Sequence, residues 1–158
     1  MMELVLLRHA HALSEARSDF ERPLSVRGEH DAAQVGALLA REFGSFDAVV
    51  ASSARRTRRT AELVCNALAY PLERISFEDS AYEASTGTLL ALLQALPDTC
   101  RRALLVAHNP GISRLGALLL QRGGIELEPA QFLPLQVDIA EWSALAPGCA
   151  RLHAGMSR

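Results

Sequence analysis

Three polar side chains directly follow a short apolar segment near the start of the chain. Residues Glu3–Leu7 have the composition of a buried strand, and Arg8, His9 and His11 come immediately after it. Such strands usually end in Gly, Asn or Asp, because these residues turn at low conformational cost. A guanidinium and two imidazoles at this position are instead hydrogen-bond donors, which indicates a site for an anion.

Two more apolar segments lead into polar residues in the same way. The segment Phe46–Ala51 runs into a Ser-Ser pair and then an arginine cluster, and the segment Ala103–Ala107 runs into His108. Ligands of α/β proteins bind beyond the carboxyl ends of parallel strands. If the three segments are parallel strands of one sheet, Arg8, His9 and His108 meet at one edge.

The arginine cluster belongs to a predicted helix that begins near Ser53. It contains Arg55, Arg56, Arg58 and Arg59. At about 100° per residue, Arg56 falls near the stripe of Leu63 and Ala67, on the flank of the buried face. It also lies in the first turn, where free amide groups favour an anion. Arg56 is therefore the functional candidate, whereas the other three are expected to be solvated or to form a weak substrate rim.

Composition excludes several kinds of chemistry. All 16 basic residues among the 158 are arginines, so a P-loop lysine, a Schiff base and pyridoxal phosphate are excluded. The formal charge of -2 argues against nucleic-acid binding. No apolar stretch approaches the ~18 residues of a membrane helix, so a cytoplasmic protein is expected. Three scattered cysteines, Cys65, Cys100 and Cys149, predict neither a disulfide framework nor a thiolate metal site.

A metal site and ordinary structural roles are the alternatives to a catalytic role for the histidines. His30 and His153 have no polar neighbours in sequence and are expected to be structural or surface residues. The spacing of His9 and His11 occurs in zinc sites, but adjacent arginines repel a dication and no acidic ligand is nearby. We therefore predict no metal and no other cofactor.

The order of the segments predicts one domain, residues 1–158, with an α/β fold. Strand-like and helix-like segments alternate, which indicates a three-layer α/β/α sandwich with a mainly parallel central sheet. The pattern changes after residue 124, where two strands joined by a Pro-Gly turn predict a C-terminal β-hairpin. The predicted helices are Ser25–Phe43, Ser53–Ala69, a helix capped near Ser85 and closed by Pro97, and Ile112–Leu120; a weaker strand is predicted at Arg74–Phe77 and the hairpin strands at 132–142 and 150–156.

Two guanidiniums and two imidazoles suit a dianionic phosphoryl group. The planar fork of arginine binds phosphate oxygens bidentately, and each charge-assisted hydrogen bond contributes ~1.5–3 kcal/mol. Without metal or lysine, a histidine nitrogen is the available nucleophile, since an ordinary imidazole is largely neutral at pH 7.

Four segments together resemble the histidine phosphatase superfamily. "LVLLRHAHA" is similar to its Arg-His-Gly nucleophile motif, and "DFERPLSVRG" to the Arg-Pro-Leu segment of its SixA branch of phosphohistidine phosphatases. "SSARRTRRTAE" and "LLVAHNPGIS" are similar to two further motifs, in the family's order. The resemblance implies a phosphoglycerate mutase-like fold. It also implies that His9 is the phosphorylated nucleophile and that Arg8, Arg56 and His108 close the phosphate pocket.

A fifth residue is carried over with less support. Arg22, in the Arg-Pro-Leu segment, would bind substrate at the entrance, although an arginine that only orders its loop is the alternative. The sequence departs from the family at four positions, none of which removes a charge from the pocket. These are Ala10 for Gly, Ser53 for Pro, Arg59 for Gln and Ala107 for Gly or Ser.

The resemblance implies a metal-independent phosphatase acting through a phosphohistidine intermediate, with a protonated His108 stabilising charge. The expected substrate is a phosphohistidine-bearing protein. The alternatives are a phosphomonoesterase acting on a small phosphorylated metabolite and a non-catalytic phosphate-binding module. Glu83 is the nearest candidate for the acid that an ester would need, and a surface role is equally compatible with its position. His11 could orient the loop, contact substrate or face water.

Overall fold

The computed structural model describes residues 1–154 of the chain. This part contains four α-helices and a six-stranded sheet. The strands are Met2–Arg8 (β1), Ala48–Ser52 (β2), Ser76–Glu78 (β3), Arg102–Ala107 (β4), Phe132–Val137 (β5) and Ala150–Leu152 (β6). The helices are Val26–Phe43 (α1), Arg55–Leu68 (α2), Thr86–Gln94 (α3) and Gly111–Leu120 (α4). The alternation predicted from the sequence is confirmed.

The strands are arranged in the order β3-β2-β4-β1-β5-β6. Strand β1 pairs in parallel with β4, and β2 pairs in parallel with both β4 and β3. On the other side of β1, strand β5 pairs antiparallel with β1, and β6 pairs antiparallel with β5. The mainly parallel sheet and the C-terminal hairpin are therefore as predicted. Because β1, β2 and β4 are parallel neighbours, their carboxyl ends lie at one edge.

Helices cover both faces of the sheet, and the side chains of β1 alternate between them. Leu4 and Leu6 pack in the apolar cluster that holds the buried side chains of α3 and α4. Val5 and Leu7 pack in the cluster that holds those of α1 and α2. A strand with two buried faces needs apolar residues at every position, which explains the uninterrupted run at the start of the chain.

Serine side chains cap two of the predicted helices, and a third predicted cap is wrong. Ser25 Oγ accepts a hydrogen bond from the Gly28 amide at the start of α1, and Ser85 Oγ caps α3. Helix α2 begins at Arg55, two residues later than predicted, and its N-cap residue Ala54 has no side-chain cap. The Ser53 hydroxyl donates to Asp79 instead, so a longer-range partner replaces the local cap.

Three boundaries differ from the sequence prediction. The first strand of the hairpin ends at Val137 rather than at residue 142, because Trp142–Ala144 forms a turn of 3₁₀-helix, so residues 138–149 and not the Pro-Gly turn alone join the two strands. The weak strand lies at Ser76–Glu78, because Leu72–Arg74 forms a turn of 3₁₀-helix. The last strand ends at Leu152, and the final residues of its predicted span, 155–156, lie outside the described residues. No helix within residues 1–154 is long and apolar enough to cross a membrane.

Candidate active site

His9 lies directly beyond the carboxyl end of β1, where hydrogen bonds to β4 and α2 fix the backbone around it. Its amide donates to the Ala107 carbonyl at the end of β4, at 3.1 Å. The amide of Ala10 donates to Thr60 Oγ1 of α2 at 3.1 Å, and that hydroxyl donates to the Arg56 carbonyl at 2.7 Å. The backbone around His9 is thus hydrogen-bonded to both β4 and α2.

The ring of His9 is held as a neutral tautomer with one nitrogen available. Nδ1 lies 2.8 Å from the Ala10 carbonyl oxygen. A carbonyl only accepts, so Nδ1 carries the proton and Nε2 keeps its lone pair. Burial, followed by the charges of Arg56 and Arg8, lowers the pKa of His9 to about 4. The free Nε2 is therefore a nucleophile at neutral pH.

His108 follows β4 and lies beside His9, with the ring centroids 5.2 Å apart. Its Nε2 lies 2.8 Å from the Ser52 hydroxyl at the end of β2, and its Nδ1 is buried without a partner. Burial and the neighbouring charged groups lower the pKa of His108 to about 3.

The prediction that His108 is protonated is therefore wrong for the site without a ligand, where the His108 imidazole is neutral. Burial among cations disfavours a further positive charge. When the Ser52 hydroxyl donates to Nε2, the single proton of the ring is on Nδ1. His108 can then still donate a hydrogen bond without a positive charge.

Arg8, the last residue of β1, is positioned through the segment that precedes β5. Its Nη1 donates to the Leu127 carbonyl at 3.0 Å, and Asn109 Nδ2 donates to the same oxygen at 2.9 Å. Ser113 of α4 binds both Asn109 Oδ1 and the Leu127 amide. The Asn-Pro-Gly sequence after His108 thus supports Arg8 indirectly. The Nε of Arg8 is buried and unpartnered.

Arg56 is the arginine of the cluster that is buried, with 6% of its surface exposed. Its Nη1 and Nη2 donate to the carbonyl and the carboxylate of Asp19, at 2.7 and 3.0 Å, and its Nε is buried without a partner. Arg55 and Arg58 are exposed, as predicted. Arg59 is not simply solvated, since it forms a paired hydrogen bond with Glu29 of α1.

Unpartnered buried donors are concentrated at this site. Within residues 1–154, four buried side-chain nitrogens lack a hydrogen-bond partner. Three belong to the residues around His9: Arg8 Nε, Arg56 Nε and His108 Nδ1. Buried polar groups in proteins are nearly always paired, because an unpaired one costs ~1–3 kcal/mol. When the His108 proton is on Nδ1, all three are donors beside a neutral imidazole and can bind the oxygens of a tetrahedral oxyanion.

Asp19, Tyr82 and Arg22 form a second group at the rim, and the first two were missed from the sequence. The Tyr82 hydroxyl donates to Asp19 Oδ2 at 2.6 Å, and Arg22 Nη1 donates to Oδ1 at 3.1 Å. These bonds, led by that of Tyr82, and the bond from Arg56 hold the pKa of the Asp19 carboxyl well below its usual range. In the sequence, the only indication of this group was the position of Asp19, three residues before Arg22 in an irregular loop.

Arg22 orders this loop, since its Nε also donates to the Leu13 carbonyl at 2.8 Å. A role in substrate binding remains a prediction. His11 orients the same loop from its other side: its Nδ1 lies 2.7 Å from Ser25 Oγ, and its carbonyl accepts from the Ser25 amide. These contacts fit the first of the three roles considered for His11.

Among the described residues, the structure supports neither Glu83 as an acid of the site nor a metal-binding cluster. Glu83 is exposed, and no hydrogen bond or ion pair joins it to another residue of the described part of the chain. Residues 1–154 contain no group of three or more His, Cys, Asp or Glu side chains arranged to hold a metal ion. The cysteines Cys65, Cys100 and Cys149 are free thiols.

Comparisons with known proteins identify the family of this chain. The sequence model of the histidine phosphatase superfamily (branch 1) matches residues 4–89, which include Arg8, His9 and Arg56. An uncharacterized protein of Mycobacterium tuberculosis strain H37Rv is 29% identical over 157 residues, covering 92% of this chain and 96% of that protein.

Solved structures share the whole fold. A candidate phosphohistidine phosphatase SixA from Nakamurella multipartitia is 29% identical, with a TM-score of 0.83 over 96% of this chain and 93% of that one. A mycobacterial glucosyl-3-phosphoglycerate phosphatase is 17% identical, with a TM-score of 0.68 over 96% of each chain, and supports the fold alone. The sheet order and helix placement are those of the phosphoglycerate mutase-like fold. The chain belongs to the histidine phosphatase superfamily and is a phosphatase.

Proposed function

We propose that this phosphatase hydrolyses phosphohistidine on a protein substrate, without a metal ion, through a phosphohistidine intermediate on His9. The observation that supports it best is the set of three buried unpaired donors beside the free Nε2 of His9. Arg8, Arg56 and His108 each contribute one donor, so all three can bind the phosphoryl oxygens while Nε2 attacks phosphorus.

In the first step, the lone pair of His9 Nε2 forms a bond to phosphorus as the bond from phosphorus to the substrate nitrogen breaks. The donors of Arg8, Arg56 and His108 bind the three equatorial oxygens, where negative charge is concentrated. The substrate ring, carrying a proton on its other nitrogen, leaves as neutral imidazole. His9 keeps its Nδ1 proton, which the Ala10 carbonyl accepts throughout.

In the second step, water attacks phosphorus in line and the bond from phosphorus to His9 Nε2 breaks. The electron pair returns to Nε2, and the proton lost by water remains with the phosphate product. Because the pKa of His9 is about 4 in the free site, the released imidazole is neutral and ready for another turnover.

The acids near the site support the proposed preference for a phosphorus–nitrogen bond. The Asp19 carboxyl is held deprotonated by its hydrogen bonds from Tyr82, Arg22 and Arg56, so it is a poor proton donor. Glu83 is exposed and forms no hydrogen bond or ion pair with the described residues of the site. An alkoxide leaving group needs a proton from an acid, whereas a protonated phosphohistidine ring brings its own.

The test measures phosphate release in EDTA by the wild type, His9→Ala and His30→Ala. His30 is an exposed residue of α1 and serves as the matched histidine control. The substrates are a phosphohistidine-bearing protein and p-nitrophenyl phosphate, and radiolabelled phosphoenzyme is trapped by rapid quenching in base. We expect faster turnover of the phosphohistidine protein, unchanged in His30→Ala and lost in His9→Ala together with the trapped phosphoenzyme.

Other outcomes identify the alternatives. Faster turnover of the ester would indicate a phosphomonoesterase of small metabolites, and binding of phosphate without turnover would indicate a phosphate-binding module. Activity that survives His9→Ala, or that EDTA removes from the wild type, would overturn the proposed mechanism.

A further inference from the structure

Two aromatic rings border the phosphate-binding residues on one side. The Tyr82 ring lies edge-on to His108, with centroids 5.5 Å apart, and the Arg56 guanidinium carbon lies 5.9 Å from the Tyr82 centroid. The Phe20 ring meets Tyr82 edge-on at 5.0 Å, with an interplanar angle of 89°. We call Phe20 and Tyr82 the aromatic wall.

Contacts with the site hold the aromatic wall in place. The Tyr82 hydroxyl donates to Asp19 Oδ2, and the amide of Arg55 at the start of α2 donates to the Phe20 carbonyl at 3.0 Å. Asp19, next to Phe20 in sequence, is itself bound to Arg56. The two rings therefore have a fixed position relative to the phosphate-binding arginine.

The aromatic wall does not serve the folded core. Phe20 is 37% exposed, one of the few large apolar side chains at the surface, and it lies outside the three apolar clusters of the described residues. An exposed aromatic side chain outside the core is available to a ligand. Tyr82 extends this apolar surface inward to His108, so the rings form a continuous path to the reacting histidines.

We propose that Phe20 and Tyr82 bind the planar ring of the leaving group and so select phosphoryl groups carried on a ring nitrogen. This inference rests on the proposed function and adds which part of the substrate is recognised. Aromatic rings favour edge-to-face or offset contacts with a second ring. An imidazole whose phosphoryl group occupies the donors of Arg56 and His108 lies next to the wall, whereas an amine or alkyl group offers no ring.

The test compares two substrates that share the phosphorus–nitrogen bond and differ in the ring. Phosphohistidine has the ring, and phosphoramidate, which releases ammonia, lacks it. For Phe20→Leu and Tyr82→Leu, we expect the ratio of kcat/KM for phosphohistidine to that for phosphoramidate to fall by about tenfold. Tyr82→Phe keeps the ring and loses only the hydroxyl, so it should retain the wild-type ratio.

Equal losses on both substrates in the leucine variants would overturn the inference, because the rings would then only support Asp19 and His108. Melting curves of Phe20→Leu and Tyr82→Phe check that these milder variants are folded. If the wild type cleaves neither phosphorus–nitrogen substrate, the proposed function fails. The ratio of kcat/KM for phenyl phosphate to that for methyl phosphate then provides the same comparison. If this ratio is unchanged in the leucine variants, Phe20 and Tyr82 do not bind the ring of the leaving group.

Discussion

The carboxylate and the main-chain carbonyl of Asp19 both accept hydrogen bonds from the Arg56 guanidinium, at 3.0 and 2.7 Å. One loop residue therefore occupies both terminal nitrogens of the arginine and leaves its buried Nε unpartnered. This arrangement fixes the plane of the guanidinium. It also joins α2 to the loop between β1 and α1.

We expect Asp19→Ala to lower kcat/KM by about tenfold, because Arg56 loses a charge-assisted bond that orients it. The Asp19 side chain is half exposed, so the effect is smaller than that of a fully buried pair. Asp19→Asn keeps a carbonyl acceptor of similar shape and should recover most of the activity. Steady-state kinetics on one substrate distinguish the variants, and a higher kcat/KM in Asp19→Ala would mean that the carboxylate obstructs phosphate.

Ser52→Ala should impair the site by changing the tautomer of His108. Without a hydroxyl donating to Nε2, the neutral ring is free to carry its proton there and loses the Nδ1 donor. We expect kcat/KM to fall about fivefold to tenfold, within the range for one hydrogen bond. Ser53→Ala is the matched control, since the adjacent Ser53 binds Asp79. Equal kinetics in the two variants would contradict this role of Ser52.

The free energy of unfolding should fall as the pH decreases from about 6.5 toward 4. The pKa values of His9 and His108 in the folded protein, about 4 and about 3, lie below the unfolded value. The unfolded chain therefore binds protons in this range while the folded protein excludes them. Each histidine lowers the free energy of unfolding by up to about 1.4 kcal/mol for each pH unit of this decrease.

Urea unfolding of wild type, the double variant His9→Asn/His108→Asn, and His30→Asn at pH 7, 6 and 5 measures this slope. The double variant should lose most of the slope, and His30→Asn should keep it. A slope that persists in the double variant would assign the acid sensitivity to other groups.

Gly28→Ala should destabilise the protein by about 3 kcal/mol, at the upper end of overpacking effects. A Cβ at Gly28 would lie 2.1 Å from the His11 carbonyl oxygen, so α1 or the loop after β1 must move. Gly87→Ala in α3 meets no atom nearer than 3.9 Å and should be neutral or stabilising by about 0.5–1 kcal/mol. Thermal melting of both variants tests the close approach, and equal melting temperatures would contradict it.

The sequence by itself determined the order of the elements and which candidate groups lie at the sheet edge. Strands buried on both faces must be apolar at every position, so β1 and β4 could be recognised from composition. Because parallel strands share a carboxyl edge, the sequence alone predicts that His9 and His108 lie close together. Helical periodicity separated Arg56 from its three neighbours, since burial on one face depends only on the angle along the helix.

Only the tertiary structure decided how these groups are oriented and charged. Asp19 and Tyr82 are 63 residues apart and lie in irregular segments, so no periodicity connects them. The protonation state of His108 depends on burial and on neighbouring cations, which the ordinary pKa of an imidazole does not reveal. The sequence specifies which donors are present, whereas packing between distant segments determines which of them remain unpaired and available to a phosphoryl group.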